Sequence, residues 1–172
     1  GVLEGIRRER EQLAPLRRMA DIVIDTSPLN VHQLSMRMRK EFGKGDDHTV
    51  TVNVMSFGFK YGIPIESDYV ADVRFLPNPY WVPELRDKRG IDSEVADYVL
   101  EQANAKEFIS RYVEMLIPVL RGYREENKQF AAVAIGCTGG KHRSVAVAET
   151  IGDELRKLGY PVRVRHRDLG RE

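Results

Sequence analysis

Val50, Val52 and Val54 alternate with Thr51, Asn53 and Met55, a two-residue period that predicts a strand over 49–56. A second strand-like run over 69–75 puts Asp72 and Arg74 on one face and Val73 and Phe75 on the other. Residues 131–136 are an apolar run of buried-strand length, and a last strand is expected over 161–166. Between these runs the period changes. Helices are expected over 93–102 and 106–123, the second interrupted near Pro118. Val145, Ala148, Ile151, Leu155 and Leu158 recur at helical spacing, and Gly159 with Pro161 ends that element. Strands alternating with helices predict an α/β fold, a mixed and largely parallel sheet flanked by helices. A ligand then belongs at the C-terminal ends of the strands.

The first 46 residues read differently. Ile6, Leu13, Leu16 and Met19 give a partial apolar stripe to a helix over 5–20, in which Pro15 must lie near an end or impose a kink. Residues 21–26 read as a buried strand. Ser27 or Asn30 can cap a helix running to Phe42, and 43–47 is a polar linker. A helix, a strand and a helix bury too little to stand alone. Residues 1–46 are therefore expected to be the remnant of another domain, and 47–172 a domain in their own right. Arg7, Arg8, Arg10, Arg17 and Arg18 read as a solvated helix face rather than an RNA contact.

The candidate chemistry concentrates between the 131–136 strand and the helix after it, in Gly136-Cys137-Thr138-Gly139-Gly140-Lys141-His142-Arg143-Ser144. A glycine-rich turn there aims several N–H groups at one spot, and the positive end of the helix dipole adds to them. That is an anion pocket, best suited to phosphate. A Walker A loop requires four residues between its first glycine and its Gly-Lys pair, whereas Gly136 and Gly140 enclose three and His142 takes the hydroxyl position. Cys137, Arg143 and Ser144 match the spacing of a cysteine phosphatase loop, Cys-x5-Arg-Ser, with Asp68 or Asp72 as a conceivable general acid. His142 stands where such loops place a glycine. Cys137 is accordingly weighted as a structural or ligand-lining residue over a nucleophile.

Three segments, Ser56-Phe57-Gly58-Phe59-Lys60-Tyr61-Gly62-Ile63-Pro64, Asp72-Val73-Arg74-Phe75-Leu76-Pro77-Asn78-Pro79 and the Gly136–Ser144 loop, together resemble the RapZ (RNase adapter) family. The resemblance runs in order from about Val50 to the C-terminus. It implies a C-terminal domain like a phosphofructokinase subdomain, preceded by the last elements of an NTPase domain without its Walker motifs. No nucleoside-triphosphate site and no catalysis are then expected in this chain. Some enterobacterial members carry His where Tyr61 stands, so no role is assigned to that side chain. The resemblance also implies a sugar-phosphate ligand such as glucosamine-6-phosphate, a small RNA presented to an endoribonuclease, and a homodimer or higher homo-oligomer.

From the residues themselves, Lys60, Arg74, Lys141 and Arg143 carry more positive charge than one phosphate needs, while Asp72 and Asn78 offer acceptors for hydroxyl or amino groups. The expected site is Cys137, Thr138, Gly139, Gly140, Lys141, His142, Arg143 and Ser144 facing Ser56, Gly58, Lys60, Asp72, Arg74 and Asn78. The alternative for Asp72 and Arg74 is that they pair with neighbours. Arg163, Arg165 and Arg167 alternate with Val162, Val164 and His166, spacing cations along one strand face at roughly 6.6 Å, and Arg171 continues the charge. Such a stripe can track a phosphate backbone with little sequence reading. The competing reading is a solvated cationic edge strand.

Composition narrows the class without naming a ligand. At 42% hydrophobic and 31% charged residues, with net charge +1, the 172-residue chain is ordinary for a globular protein. Cys137 is its single cysteine, which excludes an internal disulfide and suits a reducing, cytoplasmic compartment. His32, His48, His142 and His166 lack ligand-like spacing, so no metal is expected. Neither a membrane-spanning run nor a secretory leader is visible. The start at Gly1 is expected of a piece of a longer protein.

Overall fold

The structure, a computed structural model, describes residues 1–42 and 49–171; the predicted linker 43–47 lies outside them. The chain divides into two compact units, 1–47 and 48–172.

In the first unit, α1 spans Val2–Met19 and contains Pro15 within its length. Its apolar stripe is solvent-facing, with Leu3, Leu13, Leu16 and Met19 all exposed. The strand expected over 21–26 does not form. Those residues are irregular, with Ile22 and Val23 exposed. An extended segment becomes a strand only when a neighbour completes its hydrogen bonds, and the unit offers none among its described residues. Helix α2, Val31–Phe42, starts at the expected place. Asn30 Oδ1 accepts from the Gln33 N–H and Gln33 Oε1 accepts from the Asn30 N–H, both at 2.9 Å, a reciprocal cap that satisfies two otherwise orphaned donors.

The second unit runs β1 (Thr51–Gly58), β2 (Tyr69–Asp72), α3 (Ser93–Leu100), α4 (Ala103–Glu125), β3 (Phe130–Cys137), α5 (Arg143–Lys157) and β4 (Val162–His166). The four strands form one sheet in the order β2-β3-β1-β4, and every pairing is parallel. β2 is shorter than its sequence pattern. The chain turns after Asp72, with Leu76 N–H donating to Val73 O, and Pro77 and Pro79 then remove the donors a longer strand needs. Pro118 does not interrupt α4, which runs on through it, and the proline lies on the exposed side of the helix.

Val52, Val54, Val133 and Ile135 point from the sheet into a core with Val113, Leu116 and Leu120 of α4 and Val147, Ile151 and Leu155 of α5. Burial of this face, at about 25 cal/mol per Å² of apolar surface, holds the unit together. Chain direction sets the rest. β2 to β3 and β3 to β4 both advance the same way across the sheet, so right-handed crossovers put α3, α4 and α5 on one face. β1 to β2 runs the other way, and its connection, 63–67, lies beside Asn53, Ala132, Arg163 and Arg165 on the opposite face. The neighbours β1 and β3 therefore send their successors to opposite sides. A crevice opens between their C-terminal ends, the position at which open parallel sheets bind ligands.

Candidate functional site

The Gly136–Ser144 loop leaves β3 at that crevice and enters α5 at Arg143. The end of β1 supports it from beneath. Lys60 N–H donates to Thr138 O at 3.2 Å. Gly58 and Gly140 interlock so closely that a Cβ on Gly58 would lie 2.5 Å from the Gly139 carbonyl carbon. At Gly140 a Cβ would lie 2.7 Å from the Gly58 nitrogen, and φ of 78° is in the left-handed region that glycine tolerates. The segment after β2 clamps the far side: Gly90 N–H donates to Lys141 O, Lys141 Nζ to Arg86 O at 3.2 Å, and His142 Nε2 lies 3.1 Å from the same carbonyl.

No acceptor among the described residues takes the N–H groups of Thr138, Gly139 and Lys141. All three residues line a cavity of about 550 Å³, with Cys137, His142 and Arg143 beside them. Lys60, Asn78, Tyr80, Trp81, Arg86 and Asp87 complete the wall. Unpaired amides at the start of a 15-residue helix, next to Lys60, Lys141 and Arg143, form a pocket of positive potential.

Arg143 is only 5% exposed. Its Nη1 donates to the carbonyls of Arg74 (2.9 Å) and Leu76 (3.0 Å), its Nη2 to Thr138 Oγ1 (3.3 Å), while its Nε has no acceptor. Burial pulls the guanidinium below its ordinary pKa, against the opposing influence of Cys137 and Asp72. Cys137 is buried, and its Sγ lies 3.1 Å from Ser144 Oγ and accepts from the Gly140 N–H at 3.3 Å.

Several residues expected at this site sit elsewhere. Ser56 is fully buried, with Oγ 2.9 Å from His166 Nδ1, so it joins β1 to β4 instead of lining the cavity. Gly58 acts from beneath the loop. Asp72 and Arg74 make the alternative arrangement, a bidentate pair with Nη2 to Oδ2 at 2.7 Å. The Arg74 hydrogen bonds hold the Asp72 carboxyl below its usual range, against a smaller opposing effect of burial. Arg74 also lies over the Phe59 ring. Asn78 reaches the wall and accepts from Tyr80 N–H at 3.3 Å. Asp68, a conceivable general acid, is bound instead to Lys128 and the Ala132 N–H at the opposite end of the sheet.

The arginine stripe also divides. Arg163 and Arg165 are exposed on β4, opposite Val162 and Val164, which face α5. The strand ends at His166, and Arg167 turns inward. It donates to Asp168 and to the Gly62 carbonyl, the latter at 2.7 Å, and Arg171 Nη1 donates to Asp168 at 3.0 Å. Asp168, with no exposed surface, also accepts from the Gly58 N–H at 2.8 Å. Burial raises its carboxyl pKa, but the bonds from Arg167, Gly58 and Arg171 outweigh that and hold it below the ordinary value. Sequence reasoning missed Asp168, because an acid between arginines looks like local charge balance. It also missed the wall of Tyr80, Trp81, Arg86 and Asp87, although the proline-flanked aromatic pair was a legible irregularity.

Among the described residues, no group of three His, Cys, Asp or Glu is placed to hold a metal ion, and no helix is long and apolar enough to cross a membrane. Residues 50–170 match the family model of the RapZ C-terminal domain, and residues 1–46 that of the RapZ-like N-terminal domain. The chain is 56% identical over 172 residues to a nucleotide-binding protein of Clavibacter michiganensis, covering 99% of this chain and 59% of that relative. It is 56% identical over 171 residues to a nucleotide-binding protein of a Nocardioides species, and 53% identical over 171 residues to one of Streptomyces coelicolor, each covering 99% of this chain and 57% of the relative. The chain thus spans a little under three fifths of the length of these relatives. It belongs to the RapZ family, and its Gly136–Ser144 loop lies in the part that matches the C-terminal domain of that family.

Proposed function

We propose that the second unit is a receptor for a phosphorylated sugar, with an amino sugar such as glucosamine-6-phosphate as the leading candidate, and that its occupancy modulates contact with RNA. The observation that carries the ligand half is the set of unpaired N–H groups of Thr138, Gly139 and Lys141 beside Arg143 in a cavity of about 550 Å³. Phosphate sits on the amides at the helix N-terminus. The sugar extends toward Asn78, Asp87 and the Tyr80–Trp81 pair, whose faces suit the apolar side of a pyranose ring. Family membership motivates the amino sugar and the RNA role, in which a small RNA is presented to an endoribonuclease by a cytoplasmic homodimer or higher oligomer.

A second reading, a metabolite-responsive regulator of envelope-precursor synthesis without RNA, is favoured by the fate of the arginines. Arg167 and Arg171 are engaged by Asp168, although Arg171 stays exposed, so Arg163 and Arg165 are the exposed cations of the stripe outside that ion-pair cluster. Titration calorimetry of the chain with sugar phosphates and, separately, with structured RNA at low salt tests both readings. Binding of the sugar phosphate alone selects the second. Binding of neither removes both.

A further inference from the structure

We propose that a second copy of this chain docks on the open face of the sheet in the second unit, by a two-fold pairing that sets Arg163 and Arg165 of each copy against Glu66 of the other. Self-association itself is part of the adapter reading, on which this pairing rests; the sugar-phosphate site has no part in it.

An all-parallel sheet is ordinarily covered on both faces. Here α3, α4 and α5 lie on one face, and the other is crossed only by the 63–67 connection. Side chains alternate along each strand, so that open face receives Val70 of β2, Phe130 of β3 and both arginines of β4. A cavity of about 850 Å³ opens between the connection and β1, β3 and β4. Ile63, Val70 and Phe130 are exposed, and Ile65, on the connection itself, is 98% exposed. Single exposed apolar side chains are ordinary on a protein surface, but several on one uncovered sheet face mark a contact surface.

The charges choose the occupant. Arg163 and Arg165 are exposed on the edge strand, and Glu66 is exposed on the connection that lines the same cavity. None of the three has an ion-pair partner among the described residues. A face that carries both signs unpaired is complementary to itself. In a two-fold interface a contact between one residue and another occurs twice, once in each direction. Arginine against arginine across the axis is repulsive, so the favourable pairing places Glu66 beside the arginines of the other copy. A phosphate backbone would engage the arginines but repel Glu66 and leave the isoleucines without a partner. Self-association and the RNA contact of the adapter reading then compete for Arg163 and Arg165.

Sedimentation velocity of the 172-residue chain over a micromolar concentration series tests the pairing. A dimer is expected, and Ile65→Glu should raise its dissociation constant at least about tenfold. Arg163→Glu with Arg165→Glu in one chain, and Glu66→Arg in another, should each give a monomer, since like charges then meet across the axis. Mixed in equal amounts, these two variants should associate one to one, because both contacts between them are again of opposite sign. That recovery requires both variants to be folded, so it separates a lost contact from a lost fold. A wild-type chain that stays monomeric overturns the proposal and, with it, the homo-oligomer of the adapter reading. An oligomer that survives Ile65→Glu and both charge reversals overturns the docking face and leaves that homo-oligomer standing. Reversal variants that dissociate but do not recombine overturn the pairing. A monomeric wild type whose arginine variant loses affinity only for structured RNA assigns the face to nucleic acid and overturns it as well.

Discussion

Ser56 Oγ lies 2.9 Å from Nδ1 of His166, and Nε2 of the same ring lies 2.9 Å from Glu149 Oε1. One imidazole thereby joins the central strand β1, the edge strand β4 and the helix α5. Replacing His166 by Ala is expected to leave the fully buried Ser56 hydroxyl without a partner and to cost about 1–3 kcal/mol. Urea denaturation measures the loss. Adding Ser56→Ala to that variant should recover part of it, since both polar partners are then removed; a strictly additive second loss would contradict the coupling.

Asp168 should make the C-terminal segment acid-sensitive. Its carboxyl pKa is held below the ordinary value in the folded chain, so its contribution is complete above an unfolded pKa of about 3.9 and is lost as pH falls through the folded value. Asp168→Asn is expected to lower stability by about 1–3 kcal/mol at neutral pH and to flatten the dependence below roughly pH 4. Denaturation midpoints of the two proteins across that range check it, and parallel curves would refute the assignment.

The loop glycines should differ sharply. Gly140→Ala meets the Gly58 backbone and an unfavourable φ, so it is expected to lose both stability and phosphate affinity. Gly139→Ala places its Cβ no closer than 4.0 Å to Lys60 Cε and should be tolerated. Thermal melts and phosphate titrations on the two variants decide whether the interlock with β1 shapes the pocket.

Arg143→Ala should weaken binding of a sugar phosphate by about 1.5–3 kcal/mol, the scale of hydrogen bonds to a charged group. Because Arg143 also ties down the carbonyls of Arg74 and Leu76, a fall in melting temperature is expected with it. Calorimetry at a temperature where both proteins are folded separates the two effects.

For RNA, the arginines should sort by their partners. Arg163→Ala with Arg165→Ala is expected to reduce affinity for structured RNA and its salt dependence without unfolding the chain. Arg167→Ala is expected to act chiefly on stability, through Asp168 and the Gly62 carbonyl. Filter-binding across a salt series reads the first, and thermal melts read the second.

The four strands of the second unit and the three helices packed on them follow from periodicity, because burial of one face imposes a period on each element by itself. The Gly136–Ser144 loop was legible as a strand-to-helix turn for a related reason: adjacent glycines separate the apolar run from the helical period that follows. The segment 21–26 misled for the opposite reason. An apolar run carries strand propensity, but a strand is a property of two neighbours.

The sequence by itself thus determined the α/β class and the place of the Gly136–Ser144 loop between a strand and a helix, since each depends on residues close together in the chain. Tertiary structure alone decided how the side chains pair. It turned Ser56 to His166, paired Asp72 with Arg74, drew Arg167 and Arg171 onto Asp168, and set Tyr80, Trp81 and Asp87 across the cavity from the loop. The Ser56–His166 contact and the cavity wall join residues that the chain keeps far apart. Even neighbours such as Asp72 and Arg74 offer equally good alternatives until strand ends and turns fix where their side chains point, and local pattern carries no record of that choice.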